Sequence, residues 1–139
     1  MSKKSVEFDI KFKNFIFDDE VLMKGTFKLT PAPIKVQFQH FIDIKSYNLL
    51  NTRERKIKFH FRLIMRPDMG EINFDGECIL ESPHQNKIEF VIKTIPKSLR
   101  SIIDNFILKY SYYHAEVFAQ QQNFPFPPAQ GLLRNFGIA

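Results

Sequence analysis

The first two thirds of the chain show a regular alternation of apolar and polar residues. From residue 34 to residue 45, apolar side chains and one histidine hold every second position, and mostly lysine, glutamine and aspartate lie between them. The same period of two recurs in four other segments, at residues 6–13, 57–66, 72–80 and 88–92. Successive side chains of a β-strand point to opposite faces of the sheet, so each segment has one apolar face. We therefore predict an antiparallel meander of four or more strands within about residues 6–92.

Changes of phase and turn-forming residues divide these strands. The apolar phase shifts near Asn14, which predicts a bulge in the first strand. Residues 18–20 predict a turn or loop, and residues 21–29 predict a weaker strand that two prolines end. Further connections are predicted at residues 47–52 and at residues 67–70, where proline, aspartate and glycine favour a tight turn.

A helical period replaces the alternation after residue 95. Large apolar side chains then recur at spacings of three and four, which is typical of one face of an α-helix. They are Leu99, Ile102, Ile103, Phe106, Ile107, Tyr110, Tyr113, Val117 and Phe118. We predict one long helix over about residues 96–122, on the order of 40 Å in length. Its apolar face is expected to pack on the sheet or on another subunit.

The helix is followed by an apolar tail, residues 123–139. Three prolines within residues 124–128 prevent the helix from continuing, and the two phenylalanines beside them need a surface to pack on. Two arrangements remain open for this tail. It packs against its own sheet, or it docks on a neighbouring subunit.

Together these elements predict a single α+β domain over residues 1–139. It consists of the antiparallel β-meander, one long C-terminal helix and the apolar, proline-containing tail. A length of 139 residues with 44% hydrophobic and 25% charged residues agrees with one globular domain. Because a sheet has two faces and one helix covers only one of them, we expect the chain to form a homo-oligomer.

Cysteine usage and the distribution of apolar residues favour the cytoplasm. Cys78 is the single cysteine, so no internal disulfide can form, which favours a reducing compartment. No apolar run follows the first residues, and no apolar window approaches about 18 residues. We therefore expect a cytoplasmic protein without a membrane span.

The net charge of +5 is concentrated in one predicted hairpin. Residues 53–66 contain six basic residues and one acid, Glu54. Such a stripe could bind nucleic acid or an acidic partner, but it is also explained as the solvated face of a strand. The strand phenylalanines alternate with these charges and so lie on the opposite face, whereas base stacking and phosphate contact need them together. Nucleic-acid binding is therefore the alternative hypothesis and not the first.

Candidate catalytic groups are sparse. The four histidines, at positions 40, 60, 84 and 114, have no spacing that would seat a metal ion. His40 lies in an apolar phase and is interpreted as a hydrogen-bonded interior histidine, and Cys78 as a core residue. Residues 68–77 are rich in acids but lack the spacing of a calcium loop, and no phosphate-binding glycine motif is present. We predict a protein that is not an enzyme and has no cofactor or metal.

Two segments of the chain resemble the SecB family of cytosolic export chaperones. Residues 34–80 are similar to that family's central meander in length, turn placement and phase. Phe124-Pro125-Phe126-Pro127, followed by Leu132 and Asn135-Phe136, is similar to the segment after the family's helix, where phenylalanine-proline precedes leucines and then asparagine-phenylalanine.

The resemblance implies a molecular chaperone that acts without ATP. Proteins of the family assemble as a dimer of dimers, a tetramer, and hold unfolded precursor proteins in apolar surface grooves during protein export. Transferred to this chain, client binding is expected at six side chains of the tail and helix. They are Phe124, Phe126, Leu132, Leu133, Tyr112 and Tyr113.

The chain departs from the family in three features. The long crossover connection after the family's first strand is not expected here, because residues 21–29 read as a strand. The predicted helix is longer than the family's usual one. The family is typically acidic and its acidic sheet face meets the motor protein SecA, whereas this chain is basic, so a partnership with SecA is not expected.

Overall fold

The computed structural model of the protein describes residues 11–26, 35–81 and 97–138, with the side chains of residues 97–100 left aside. In these ranges the chain forms one antiparallel sheet and two helices. The elements are β1 (Lys11–Lys24), β2 (Gln37–Asn51), β3 (Glu54–Arg66), β4 (Gly70–Glu81), α1 (Lys97–Gln121) and α2 (Ala129–Asn135). The predicted α+β class, with an antiparallel sheet followed by a long helix, is confirmed. The strand predicted at residues 88–92 and the first residues of the strand predicted from residue 6 lie outside the described residues.

The strands lie in the order β1-β4-β3-β2, and every neighbouring pair is antiparallel. Short turns join β2, β3 and β4 into a meander, and β1 pairs with β4, so the sheet has a Greek-key order. The connection from β1 to β2 therefore joins opposite edges of the sheet. The expectation that a crossover connection is missing was wrong, because alternation identifies a strand but does not identify its neighbour.

β1 is a single strand with two bulges. The register against β4 shifts between Lys13 and Ile16 and again between Asp18 and Val21. Asn14 and Asp19 have φ angles of 55° and 54°, a conformation that Asn and Asp adopt more readily than most residues. The predicted bulge near Asn14 is confirmed. The predicted loop at residues 18–20 was wrong, because a bulge shifts the apolar phase just as a strand break does.

β2 also extends further than its alternation indicates. Its register against β3 shifts between Ile44 and Ser46, and pairing then continues to Asn51. The turn is only Thr52 and Arg53, and the amide of Arg53 donates a hydrogen bond to the side chain of Asn51 at 2.9 Å. The connection predicted at residues 47–52 was therefore wrong, since the bulge hides the last third of the strand.

The predicted turn between β3 and β4 is confirmed at residues 67–69, and it holds the end of β1. The amide of Gly25 donates to the carbonyl of Met69 at 3.1 Å, and the hydroxyl of Thr26 donates to the carboxylate of Asp68. A Cβ atom on Gly25 would lie 1.8 Å from the carbonyl oxygen of Asp68, so only glycine permits this approach.

The core lies between α1, α2 and one face of the sheet. β3 and β4 contribute Ile57, Phe59, Phe61, Leu63, Met65, Ile72, Phe74, Cys78 and Leu80, all buried. From α1 come Ile103, Ile107, Leu108, Tyr112, Ala115, Phe118 and Ala119. Burying a large apolar side chain contributes about 1.5–3 kcal/mol to stability. The opposite face of the sheet, which we call the open face, carries the charged residues.

The apolar face predicted for α1 is divided between the core and the surface. Ile103, Ile107 and Phe118 are buried as expected. An exposed stripe, which we call the α1 stripe, is formed by Ile102, Phe106, Tyr110, Tyr113 and Val117, each 39–48% accessible. One part of the predicted apolar face thus packs on the sheet, and the α1 stripe stays at the surface of the single chain. Small residues such as Ala115 and Ala119 bring the helix close to the sheet, and a search for large apolar side chains passes over them.

Candidate functional site

An apolar groove of about 1020 Å³ opens at one end of the sheet. The start of β2 and the β3–β4 turn form one side, and the segment between α1 and α2, together with α2, forms the other. Its apolar lining consists of Val36, Phe38, Met65, Met69, Phe124, Pro125, Phe126, Pro127, Leu132 and Phe136. Among the described residues that line it, Lys35 is the only charged one. We call this site the groove.

The wall after α1 is fixed at both of its ends. Asn123 ends the helix with a φ of 54°, and the amide of Phe124 donates to the carbonyl of Ala119 at 2.9 Å. The prolines that follow keep the chain out of a helix until α2 begins. There the amide of Ala129 donates to Oε1 of Glu116 at 3.1 Å. The tail thus packs on its own domain, the first of the two arrangements left open by the sequence.

Aromatic contacts hold the two sides of the groove together. The rings of Phe38 and Phe126 meet edge to face with centroids 5.8 Å apart. Phe136 of the far wall meets the ring of His40 at 4.9 Å, also edge to face. Such pairs are worth about 0.5–1.5 kcal/mol beyond the area they bury. Met65 and Met69 complete the lining with flexible thioethers, which adapt to differently shaped ligands.

A hydrogen bond beside the groove ties β2 to α1. Nδ1 of His40 and the hydroxyl of Tyr112 are 2.8 Å apart. Burial lowers the pKa of His40 and raises the pKa of Tyr112, so at neutral pH a protonated hydroxyl faces a neutral imidazole. His40 is half-buried and hydrogen-bonded, which confirms its interpretation as a satisfied histidine.

Three of the six side chains predicted to bind clients lie together in the groove. Phe124 and Leu132 are mostly buried and present one side to it, and Phe126 is half-buried. Tyr112 and Leu133 belong to the core instead, and Tyr113 is exposed on α1.

Sequence reasoning missed several groove residues on the sheet side. Phe38 lies in the apolar phase of its strand, so the sequence predicts the face of the sheet to which its side chain points. The sequence does not predict that a groove lies at this position. Met65 also lies in the apolar phase of its strand, but the proximity of Met65 and Met69 to the tail depends on how the sheet and α1 pack, and no pattern in the sequence indicates it. Phe136 was part of the family resemblance but was not among the predicted client contacts.

β2 is an edge strand of the described sheet, and the groove opens beside its first residues. It pairs with β3 on one side, so every second amide and carbonyl along its other side has no partner strand among β1, β3 and β4. The edge strand of a sheet can accept an extended polypeptide as an added strand. The groove and this edge are therefore adjacent parts of one surface.

The basic hairpin predicted at residues 53–66 pairs with acids on the open face. Arg62 and Glu71 are 2.8 Å apart, His60 and Asp75 are 2.8 Å apart, and Lys56 lies 3.9 Å from Glu77. The hydrogen bond from Arg62 lowers the pKa of Glu71, so this carboxylate stays charged. The β4 acids therefore offset much of the positive charge of β3, as in a solvated strand face.

Comparison with known proteins gives no assignment. No protein family model matches the chain, and no curated protein matches it. Within the described ranges, no cluster of three or more His, Cys, Asp or Glu residues could hold a metal ion. No helix there is both long and apolar enough to cross a membrane.

Proposed function

We propose that this protein is an ATP-independent molecular chaperone, a SecB-like holdase that binds unfolded or precursor polypeptides in the groove. The observation that carries the proposal is the groove itself, an aromatic and methionine-lined surface beside an edge strand. Van der Waals contact with such a lining does not read one particular side chain, so many sequences can bind. A non-native segment would place apolar side chains in the groove and align its backbone with β2.

The α1 stripe supports a homo-oligomeric chaperone. Its five apolar side chains run along the helix at spacings of three and four, and two of them stack on β1, Phe106 on Phe12 at 4.6 Å and Tyr110 on Phe15 at 4.1 Å. An exposed apolar stripe of this length is typical of a subunit interface. We propose a cytoplasmic assembly, such as a dimer of dimers, that buries it. A contact with SecA is not part of the proposal.

Nucleic-acid binding has less support from the structure. Two cations of the hairpin that suggested it, Lys56 and Arg62, pair with carboxylates of β4, and Arg55 is buried at the core face. A phosphate backbone would have to displace these pairs, and among the described residues Phe41 is the exposed phenylalanine beside them. The open face therefore suits solvent better than a nucleic acid.

Aggregation of a chemically denatured protein on dilution tests the holdase activity. The chain at a stoichiometric ratio is expected to suppress the light scattering of the aggregating client without ATP. Phe126→Ala should weaken the binding of an apolar peptide roughly tenfold, because a phenylalanine side chain contributes about 1.5–3 kcal/mol when it is fully buried. Fluorescence anisotropy of the labelled peptide measures this change.

Val21→Ala is the control, since Val21 is 49% accessible and lies on β1, at the edge of the sheet opposite β2 and the groove. It should leave peptide binding unchanged. Equal effects of the two substitutions, or failure to suppress aggregation combined with strongly salt-dependent retention on nucleic acid, would contradict the proposal.

A further inference from the structure

A second cleft, of about 420 Å³, lies between α1 and α2. We call it the basic cleft. Its lining combines two cations with an apolar floor and consists of Lys109, Tyr113, Gln130, Leu133, Arg134 and Ile138. No acidic residue is among these described lining residues. The ion pairs described above lie elsewhere, so Lys109 and Arg134 line this cleft without a carboxylate partner among the described residues.

α2 separates the basic cleft from the groove. Leu132 and Phe136 line the groove on one side of the helix, and Gln130 and Arg134 line the basic cleft on the other. Gly131 lies on the exposed surface between them, and a Cβ atom built on it would meet nothing within 4 Å. An extended polypeptide can therefore pass over α2 from one site to the other with no side chain at this position to block it.

The width of α2 sets how many residues of an extended polypeptide separate the groove from the basic cleft. A helix with its side chains is about 10–12 Å across, and an extended chain advances about 3.3 Å per residue. A segment that fills the groove thus reaches the basic cleft about three to four residues further along.

From this arrangement we propose that the groove selects apolar segments followed, three to four residues later, by acidic residues, which bind Lys109 and Arg134. This inference rests on the proposed chaperone function and names its substrate class. The guanidinium of Arg134 can pair with a carboxylate through two parallel hydrogen bonds. Lys35, the single charge among the described groove residues, adds to the same preference. Segments with basic flanks meet like charge at both sites and bind less well.

Two labelled peptides test the preference. They share one apolar block and differ only in the two residues placed three and four positions beyond it, which are glutamates in one peptide and lysines in the other. Exposed ion pairs contribute only modestly to affinity, so the full-length protein should bind the acidic peptide about five- to tenfold more tightly. The difference should shrink in about 1 M salt, where charges are screened over about 3 Å.

Charge-reversal variants identify the site. Arg134→Glu and Lys109→Glu should each reduce or invert the preference, and circular dichroism confirms that they fold. Arg53→Glu is the matched control, because Arg53 is exposed in the β2–β3 turn at the other end of the sheet. It makes the same change in net charge and should keep the preference.

The outcomes separate this inference from the proposed function. Equal binding of the two peptides, tighter binding of the basic peptide, or a preference that survives Arg134→Glu and Lys109→Glu overturns the selection of acidic flanks and leaves the chaperone function standing. If neither peptide binds, the groove is not a client site and both proposals fail.

Discussion

Single side chains explain why two glycines of this fold behave differently. Gly76 of β4 faces the core beneath the ring of Phe59, and a Cβ atom there would lie 2.4 Å from Cζ of that ring. Phe59 is only 1% accessible, so its ring has little room to move. Gly131 of α2 has open space instead. A methyl group added at Gly76 would therefore meet the packed core, and one added at Gly131 would point into open space.

Alanine at each of these glycines is expected to change stability in opposite directions. Gly76→Ala should destabilise the fold by about 1–3 kcal/mol, because overpacking a core forces side chains off their preferred rotamers. Gly131→Ala should stabilise it by up to about 1 kcal/mol through helix propensity. Urea unfolding of both variants measures the two effects. A Gly76→Ala variant as stable as the parent would show that Phe59 can shift after all.

At the scale of elements, the periodicity of apolar residues predicted which strands and helices exist better than it predicted where they end or which strands pair. The bounds expected for α1, residues 96–122, agree with the observed Lys97–Gln121, because proline and a long apolar period mark a helix locally. The bounds predicted for β1 and β2 were too short, because each strand has a bulge that shifts the apolar phase and continues beyond it. The pairing of β1 with β4 was not predictable, since it depends on contacts between residues far apart in the chain.

In the candidate site too, some residues could be predicted from the sequence and others depend on tertiary packing. Phe124, Phe126 and Leu132 were named as client contacts through the family resemblance, and the need of an apolar, proline-containing tail for a surface to pack on pointed to the same segment. The sheet side of the groove, with Met65 and Met69, forms only when the β3–β4 turn meets that tail. Tyr112 was misplaced because an aromatic side chain on a helix looks the same in sequence whether it faces client or core.

The α1 stripe carries a prediction about assembly. Val117 is 48% accessible in the single chain, so a charge at this position would be tolerated in a monomer but would be buried in an assembly that covers the stripe. Val117→Glu should therefore shift the protein to a smaller species without unfolding it. Light scattering coupled to size-exclusion chromatography measures the mass. Asn105→Glu, at an exposed position off the stripe, is the control and should leave the mass unchanged. A parent protein that is monomeric, or a Val117→Glu variant of unchanged mass, would remove the stripe from the interface.

At the scale of the whole molecule, three surfaces lie next to one another. The edge of β2 borders the groove at the first residues of that strand, and α2 separates the groove from the basic cleft. The core beneath them is held by α1, whose buried face spans the sheet from Ile103 to Ala119. A client bound along this surface would contact three elements that are distant in the chain. The tail is therefore a structural wall of the groove, which is why Phe124, Phe126 and Leu132 are only partly accessible.

Hydrogen–deuterium exchange can show whether client and protein form a shared sheet. If an apolar segment adds to the edge of β2, the outward-pointing amides of Gln37–Asn51 gain hydrogen bonds and should exchange more slowly when a saturating apolar peptide is present. The first residues of β2, beside the groove, should show the largest protection. β1 is the internal control, because it lies at the opposite edge and its two bulges disrupt regular pairing. Protection of the groove walls without protection of β2 would mean that clients bind by side chains alone, and equal protection of both edges would indicate assembly of the protein with itself.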